Sequence, residues 1–261
     1  MSASFRGCKP LGARHSGCVR RGPPLRSAPS RKTLEVPSAR VIARSLAYTS
    51  CMDENDSIMV RQIEFYLRTA TAADKAAVSS LFADTYRAGC ASHYGEAMLR
   101  MALPVLSTAR DDLLSSGRFY VAVLKSAGGG DGDSEVVIGA GGWSLSAPKP
   151  QHIEAQEAAR TPQQQQPPGV GHVRHLATHP DFSGRGVAKA LIRTSMEAAM
   201  AAGVTSMECC ATLNAVGFYK AMGFKPVEQK DIFIGDGIPF LIMAMQCGSV
   251  SEAVKALGGG K

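Results

Sequence analysis

The chain has 261 residues, of which 45% are hydrophobic and 20% are charged, an ordinary composition for a globular protein with a sizeable core. No stretch reaches the roughly 18 consecutive apolar residues of a membrane-spanning helix, so the sequence excludes a bilayer-spanning protein. The formal net charge of +7 is unevenly distributed, because residues 1–50 carry +9 and the remaining 211 residues carry −2. The nearly neutral body disfavours a nucleic-acid partner, since binding to phosphates requires clustered Lys and Arg.

Residues 1–50 have the composition of an organelle transit peptide, with eight Arg, eight Ser and a single acid, Glu35. A secretory signal needs an apolar core of about 7–15 residues, whereas Arg or Pro interrupts every apolar stretch here. The sequence therefore predicts a disordered transit peptide over residues 1–50, a mature protein that begins between Ala43 and Asp53, and residence in the plastid, in the chloroplast stroma. A mitochondrial address and an unprocessed basic arm are the alternatives.

A single domain is predicted over residues 60–247, with its elements assigned from hydrophobic periodicity. Residues 147–170 are rich in Pro and contain four consecutive Gln, which predicts a disordered low-complexity insertion within that domain. The elements expected before the insertion are a strand at 64–71, a helix from 74 to 86, a helical region at 95–116 broken near Pro104, and an antiparallel hairpin of strands at 118–124 and 136–143.

The part of the domain after the insertion alternates between strands and helices. Its predicted elements are a strand at 172–178, a loop at 179–186, a helix at 187–202, a strand at 206–212, a short helix at 215–222, and a closing hairpin of strands at 224–234 and 238–247. Residues 248–261 end in three consecutive glycines before Lys261 and are expected to form a flexible tail, a marginal helix that frays. The seven cysteines form no C-x-x-C pair, so neither a metal site nor a disulfide framework is indicated.

A glycine-containing loop at residues 183–188 joins a predicted strand directly to a predicted helix. Backbone N–H groups at the positive end of a helix, unencumbered by large side chains, can hold a phosphate group. The Lys-Ser/Thr pair of a P-loop is absent, and the glycines are too few for a dinucleotide-binding fingerprint. Nucleoside triphosphates and NAD are therefore disfavoured as ligands, and the loop alone does not identify another one.

Two segments together resemble the GNAT superfamily of N-acetyltransferases. Residues 179–192 are similar to its acetyl-CoA signature, Gln/Arg-x-x-Gly-x-Gly/Ala, which Gly186 and Ala188 match while Ser183 replaces Gln or Arg. Residues 217–224 are similar to its second motif, a short helix that carries Tyr followed by Gly-Phe. The resemblance extends over residues 64–247 and implies a mixed α/β (α+β) fold, with a mostly antiparallel central sheet of about seven strands flanked by about four helices.

The resemblance also implies a co-substrate, acetyl-CoA, and no metal. The backbone of Leu176 and Thr178 would pair with the pantetheine arm, and the loop would hold the pyrophosphate. Many members carry an Asn where this chain has Thr212, and Asn214 follows two residues later. The cofactor-binding residues predicted in this way are Leu176, Thr178, Ser183, Gly184, Arg185, Gly186, Val187, Ala188 and Asn214.

The catalytic groups are predicted from the same comparison. Tyr219 matches the usual proton donor for the departing thiolate, and the alternative role is that of an aromatic residue packed on the sheet. His172 lies eleven residues before Ser183, where lysine acetyltransferases of the superfamily carry a Glu base, and an imidazole with a pKa near 6.5 suits that role. A solvated strand end is the competing interpretation of His172, and Glu208 on the next strand is the reserve base.

The predicted function is acetyl transfer from acetyl-CoA to a primary amine, on a small metabolite or on a protein lysine or N-terminus. The alternatives are a catalytically silent acyl-CoA-binding or interaction module and a nucleic-acid-binding protein that uses its basic leader. The expected partners are the amine acceptor, with no nucleic acid and no membrane, and a monomer or homodimer is expected. The acidic residues suggested as attracting the amine are Asp84, Glu96, Asp111 and Asp112.

Overall fold

The computed structural model describes residues 41–45, 50–52, 58–60, 63–125, 135–147, 169–234 and 238–258. The leader up to residue 40 and residues 148–168 of the predicted insertion lie outside the described residues.

An eight-stranded sheet forms the centre of the structure, in the order β1-β4-β5-β6-β7-β8-β10-β9. Neighbouring strands are antiparallel except β7 and β8, which are parallel, and β2 and β3 form a separate antiparallel pair. The strands are β1 Val41–Ser45, β2 Ser50–Met52, β3 Ile58–Val60, β4 Ile63–Thr69, β5 Phe119–Lys125, β6 Glu135–Ser144, β7 Val170–Thr178, β8 Ser206–Ala211, β9 Lys225–Ile234 and β10 Ile238–Cys247.

Six α-helices accompany the sheet in the described part of the chain. The predicted mixed, mostly antiparallel architecture is confirmed, with one more strand in the central sheet, the separate β2–β3 pair, and six helices where about four were expected. The additional strand is β1, and the additional helices arise from the division of the 95–116 region and from the tail. The helices are α1 Lys75–Cys90, α2 Glu96–Leu106, α3 Asp111–Leu114, α4 Val187–Ala201, α5 Val216–Ala221 and α6 Val250–Gly258.

Hydrophobic spacing explains how these elements pack. Helix α1 buries Val78, Leu81 and Phe82, an i, i+3, i+4 stripe that contacts one face of the sheet. The opposite face packs against α4, α5 and α6. Strand β8 alternates buried and exposed residues along its length, so that Glu208 and Cys210 lie on the face opposite the α4 helix.

Three local features are more specific than the expectations from sequence. Residues 41–45 of the predicted leader form β1, which pairs antiparallel with residues 63–67 of β4, and backbone pairing to a sheet edge needs no side-chain pattern. The tail contains α6, which buries Val250, Ala253 and Leu257 against the main core. The expected break near Pro104 follows the end of α2 at Leu106 and precedes α3.

Strands β7 and β8 separate at their carboxyl ends. Both strands are described throughout, and their parallel pairing covers only residues 170–172 with residues 206–208. On its other side, β7 contains a bulge, in which His175 and Leu176 lie opposite Gly141 of β6. His175 adopts a left-handed conformation there, with φ of 39°. The separation and the bulge together create an opening in the middle of the sheet.

Candidate active site

A cavity of about 230 Å³ lies at this opening. Its walls come from the separated ends of β7 and β8, from α1, α2 and α5, and from the β9–β10 hairpin. The carboxyl ends of a parallel strand pair are a common location for ligand sites, because the strands diverge there and leave room between them.

Tyr219 lies on the wall of the cavity, at the middle of α5. Its side chain is only 6% exposed, and its ring makes edge-to-face contacts with Phe218 and Phe224 at centroid distances of 5.3 and 5.4 Å. Burial raises the pKa of the Tyr219 hydroxyl well above its ordinary value. The hydroxyl is therefore protonated throughout the physiological range and can donate a hydrogen bond, whereas its raised pKa makes it a weaker acid than an exposed phenol.

His172 and Glu208 lie opposite each other on β7 and β8, at the point where the two strands begin to separate. The distance from His172 Nδ1 to Glu208 Oε2 is 3.7 Å, with the imidazole buried and the carboxylate exposed. Burial lowers the pKa of His172, an effect that Glu208 opposes and Arg174 reinforces. A neutral imidazole is thus favoured at neutral pH, although neither His172 nor Glu208 lines the cavity itself.

The glycine loop leads directly into the first turn of α4. Gly184 and Gly186 both have positive φ, of 73° and 76°, which L-residues with side chains adopt only under strain. Gly186 is the N-cap residue of α4, and its carbonyl accepts a hydrogen bond from the Ala190 N–H at 2.9 Å. The guanidinium of Arg185 lies 5.3 Å from the ring centroid of Phe182. The loop therefore presents a helix N-terminus beside a cationic side chain, a suitable environment for an anion.

Three of the predicted cofactor-binding residues, Leu176, Thr178 and Asn214, lie outside this loop, and only Leu176 lines the cavity. Leu176 lines the cavity from the bulge of β7. The carbonyl of Thr178 accepts a hydrogen bond from Thr85 Oγ1 at 3.0 Å. Asn214 is exposed, and its Oδ1 atom accepts a hydrogen bond from the Cys90 thiol at 3.5 Å. The Asn214 side chain thus contacts the end of α1 and does not line the cavity.

The four acidic residues suggested for attracting the amine do not line the cavity. Each one forms an ion pair with a nearby base, as charged residues on solvated helix faces commonly do. The pairs are Asp84 with Arg87 at 3.3 Å, Glu96 with Arg100 at 2.8 Å, Asp111 with Lys75 at 2.7 Å and Asp112 with Arg110 at 2.9 Å.

Sequence reasoning missed the charged residues that do line the cavity, Arg110 and Arg174. The buried side chain of Arg174 donates from Nη1 to Ser144 Oγ at 3.1 Å, and Arg110 donates two hydrogen bonds to the Asp112 carboxylate. Arg174 lies two residues from His172 on the same strand. Because successive side chains of a strand point to opposite faces, the sequence alone could have placed Arg174 on the same face as His172. Arg110 reaches the cavity only through tertiary packing, which no local sequence pattern predicts.

His175 also lines the cavity, and its ring stacks on Phe82 at a centroid distance of 5.2 Å. Burial, together with the charges of Arg174 and Arg110, lowers the pKa of His175 to about 4. A base with so low a pKa is almost entirely neutral at pH 7 and accepts protons poorly. The side chain is therefore better suited to forming the wall than to removing a proton.

Tyr94 holds the cavity wall together on the far side. Its hydroxyl donates to the Leu241 carbonyl at 2.7 Å and accepts from the Leu213 N–H at 2.9 Å. Its ring stacks on Phe240 at 4.4 Å. This one side chain connects the α1–α2 loop to β10 and to the turn that precedes α5, and it thereby fixes the position of the Tyr219 helix.

Within the described residues, no group of three or more His, Cys, Asp or Glu side chains is arranged to hold a metal ion. Cys90, Cys209, Cys210 and Cys247 are free thiols. A separate search of the same part of the chain finds no helix that is long and apolar enough to cross a membrane.

Comparison with known proteins identifies the class to which this fold corresponds. Residues 157–247, about one third of the chain, match the family model described as the acetyltransferase (GNAT) domain. No curated protein sequence matches the chain significantly. A solved structure described as a GCN5-related N-acetyltransferase, from Rhodopseudomonas palustris, is 22% identical with a TM-score of 0.51, and the match covers 74% of this chain and 99% of that chain. The chain therefore has the fold of the GNAT N-acetyltransferases.

Two further structures are similar at lower scores. The PaiA N-acetyltransferase of Thermoplasma acidophilum, solved in complex with coenzyme A, is 16% identical, with a TM-score of 0.47 and coverage of 70% of this chain and 98% of that chain. A mosquito protein described as arylalkylamine N-acetyltransferase like 5b is 15% identical, with a TM-score of 0.43 and the same coverage of 70% and 98%.

Proposed function

We propose that the chain is an N-acetyltransferase that transfers the acetyl group of acetyl-CoA to a primary amine. The observation that carries the proposal is the combination of an anion-binding helix N-terminus, at residues 183–188, with a cavity between the separated strands β7 and β8. The match of residues 157–247 to an acetyltransferase domain supports it, because that range contains the loop, both strands and Tyr219.

The phosphates of acetyl-CoA would be bound by the backbone N–H groups of the loop, with the positive charge of Arg185 beside them. The pantetheine arm would extend from the loop into the opening between β7 and β8, past Leu176. This arrangement directs the thioester to the cavity wall that Tyr219 forms.

Transfer requires a neutral amine, a polarised carbonyl and a proton for the leaving thiolate. The amine nitrogen attacks the thioester carbonyl, and the C–S bond then breaks to give an amide and CoA. His172, neutral at pH 7, would receive the proton released by the amine, directly or through one water molecule, with Glu208 beside it. Tyr219, with its protonated hydroxyl, would donate a hydrogen bond or a proton to the departing sulfur, which leaves as CoA once it is protonated.

The test is incubation of the full chain with labelled acetyl-CoA and a panel of polyamines, aromatic amines, amino acids and peptides. Release of free CoA that depends on an amine, with formation of a labelled amide, supports the proposal. Binding of CoA without any amine-dependent release identifies the silent acyl-CoA-binding module instead, the alternative that the Ser183 replacement suggests.

The pH profile distinguishes the two candidate bases. Activity should decline as pH falls through the pKa of His172, which burial places below its ordinary value of about 6.5. Glu208→Gln removes the carboxylate that raises this pKa, so the acid limb of the kcat/KM profile should move to lower pH with the plateau largely retained.

Glu197→Gln is the matched control, because Glu197 is a partly exposed, ion-paired carboxylate on α4, outside the cavity. Its profile should coincide with that of the wild type. If Glu208→Gln instead lowers the plateau by about 100-fold or more, the expected range for loss of a general base, then Glu208 is the base and His172 is not.

We also propose that the basic leader directs the protein to an organelle, with the plastid as the first candidate and the mitochondrion as the second. The charge of +9 on residues 1–50 supports this. A cut between Ala43 and Asp53 would shorten or remove β1 and leave β4 at the edge of the sheet. N-terminal sequencing of the native protein tests the prediction, and a start before Val41 would contradict it.

A further inference from the structure

We infer that His175 is a positioning residue for acetyl-CoA, because its ring stacks on Phe82 of α1 and thereby holds the bulge of β7 in place. The bulge and the separation of β7 from β8 together form the opening in the sheet. The inference rests on the proposed function, which places the pantetheine arm of acetyl-CoA in that opening.

The backbone of His175 is the first observation. Its φ of 39° lies in the left-handed region, which a residue with a side chain adopts only at a cost in free energy. Such a conformation persists where the surrounding structure compensates for it, and it occurs preferentially at functional sites. Contacts of the His175 side chain must therefore stabilise a backbone conformation that a strand by itself disfavours.

The face of the sheet that His175 occupies is the second observation. In a regular strand, Val173, His175 and Ala177 would all point to the same face. Val173 instead packs in the core cluster that contains α4, whereas Ala177 packs in the cluster that contains Phe82. The bulge thus brings His175 to the α1 side of the sheet. A β7 strand without the bulge would lose the contact with Phe82, so this contact favours the bulged form.

The attachment of β7 to α1 is the third observation. The rings of His175 and Phe82 have centroids 5.2 Å apart and planes at 22°, a stacked pair that adds stability beyond the burial of the rings. One turn further along α1, Thr85 Oγ1 donates a hydrogen bond to the Thr178 carbonyl at 3.0 Å. Helix α1 therefore contacts β7 both at the bulge and at the end of the strand.

The neighbouring strand accommodates the bulge on its other side. A Cβ atom at Gly141 of β6 would lie 2.6 Å from Leu176 Cδ1 and 3.5 Å from the His175 carbonyl oxygen. A side chain at position 141 would collide with the bulge, and glycine avoids the collision. The bulge is thus held by Phe82 and admitted by Gly141, and Leu176, its second residue, lines the cavity.

The test removes the ring and measures the binding of pantetheine. His175→Asn removes the aromatic contact but keeps a residue type that tolerates the left-handed conformation. Calorimetry compares CoA with 3′-phospho-ADP, the nucleotide half of CoA without pantetheine. We expect the affinity for CoA to fall by roughly two- to tenfold, the size of effect that loss of an aromatic pair has. The affinity for 3′-phospho-ADP should not change, because the glycine loop is intact.

Two variants test whether the ring contact is the cause. His175→Phe keeps a ring that can stack and, since burial and nearby arginines lower the pKa of His175 to about 4, removes no charge at pH 7. It should bind CoA as the wild type does. Phe82→Leu removes the other ring and should reproduce the loss. The double variant Phe82→Leu/His175→Asn should lose no more than the larger single loss, because both changes remove one contact.

His93→Asn is the matched control, since His93 is an exposed histidine outside the cavity, and its affinity for CoA should be unchanged. Thermal melting identifies the folded variants, and Phe82→Leu replaces His175→Asn if the latter does not fold. Hydrogen exchange of the protein without ligand should be faster over residues 173–178 when the ring is absent, and slower or equal exchange overturns the inference.

The binding outcomes are distinct from those for acetyl transfer. The inference is overturned by unchanged CoA affinity in a folded His175→Asn or Phe82→Leu variant, or by an equal loss for CoA and 3′-phospho-ADP. It is also overturned if CoA binds the wild type no more tightly than 3′-phospho-ADP does, since the opening then holds no pantetheine. Amine-dependent release of free CoA tests the proposed function separately, and it can fail while pantetheine binding still depends on His175.

Discussion

Gly186→Trp is expected to abolish CoA binding, with the fold largely retained. Gly186 is the N-cap of α4, so an indole there would cover the backbone N–H groups at which the phosphates are expected. The substitution also forces a bulky residue to adopt φ of 76°, at a cost of about 1–2 kcal/mol in folding free energy. Isothermal calorimetry with CoA measures the effect on binding, and thermal melting measures the effect on stability.

Gly203→Trp provides the matched control. Gly203 follows the other end of α4, has φ of 87°, is exposed, and has space for a Cβ atom, with nothing within 4 Å. It therefore carries the same backbone strain far from the loop, and it should bind CoA as the wild type does. If Gly186→Trp does not fold, Gly184→Trp replaces it in the test, because it also places an indole in the loop. A folded loop variant with wild-type affinity for CoA would show that the phosphates bind elsewhere.

The sequence predicted those parts of the fold that have a strong local pattern. Helix α4 and strand β8 were predicted within one residue of their observed ends, because each has a clear apolar period and a glycine or turn at its boundary. Helix α6 was predicted only as a marginal, fraying helix, although Val250, Ala253 and Leu257 have helical spacing and are buried. The three glycines that follow it were given more weight than this periodicity.

The missing features are those that depend on contacts between distant residues. Strand β1 is stabilised by pairing with β4, which no pattern within residues 41–45 indicates. The bulge at His175 lies where β7 pairs with β6, and no sequence pattern predicts a non-glycine residue with φ of 39° at this position.

The same difference between local patterns and distant contacts explains why only part of the candidate site was predicted. The glycine loop and Tyr219 belong to motifs that can be found within a few residues of sequence. Arg110 and Arg174 are the charged residues that the described part of the chain contributes to the cavity wall, and they are 64 positions apart in the sequence. They line one cavity only because the loop before α3 packs near β7. Local patterns therefore indicated the glycine loop and Tyr219, whereas the composition of the cavity wall required the tertiary structure.

Tyr219→Phe is expected to lower kcat by about 10- to 1,000-fold, within and somewhat below the usual range for general acid catalysis. The substitution removes only the hydroxyl oxygen, and the ring continues to contact Phe218 and Phe224. The affinity for acetyl-CoA should therefore change little, and the loss should appear in single-turnover rates of CoA release. Because burial holds the pKa of Tyr219 well above 10, the wild-type enzyme should lose no activity through ionisation of this residue below that pH.

Tyr120→Phe is the control for loss of a buried phenol. Tyr120 lies on β5, is 7% exposed and does not line the cavity. Its variant should retain the wild-type kcat, with a melting temperature equal to or below that of the wild type. A large fall in kcat for Tyr219→Phe alone would then assign the effect to the position of the hydroxyl at the thioester. If Tyr219→Phe turns over at the wild-type rate with unchanged pH dependence, Tyr219 is an aromatic residue of the core, and the thiolate receives its proton from water or from another side chain.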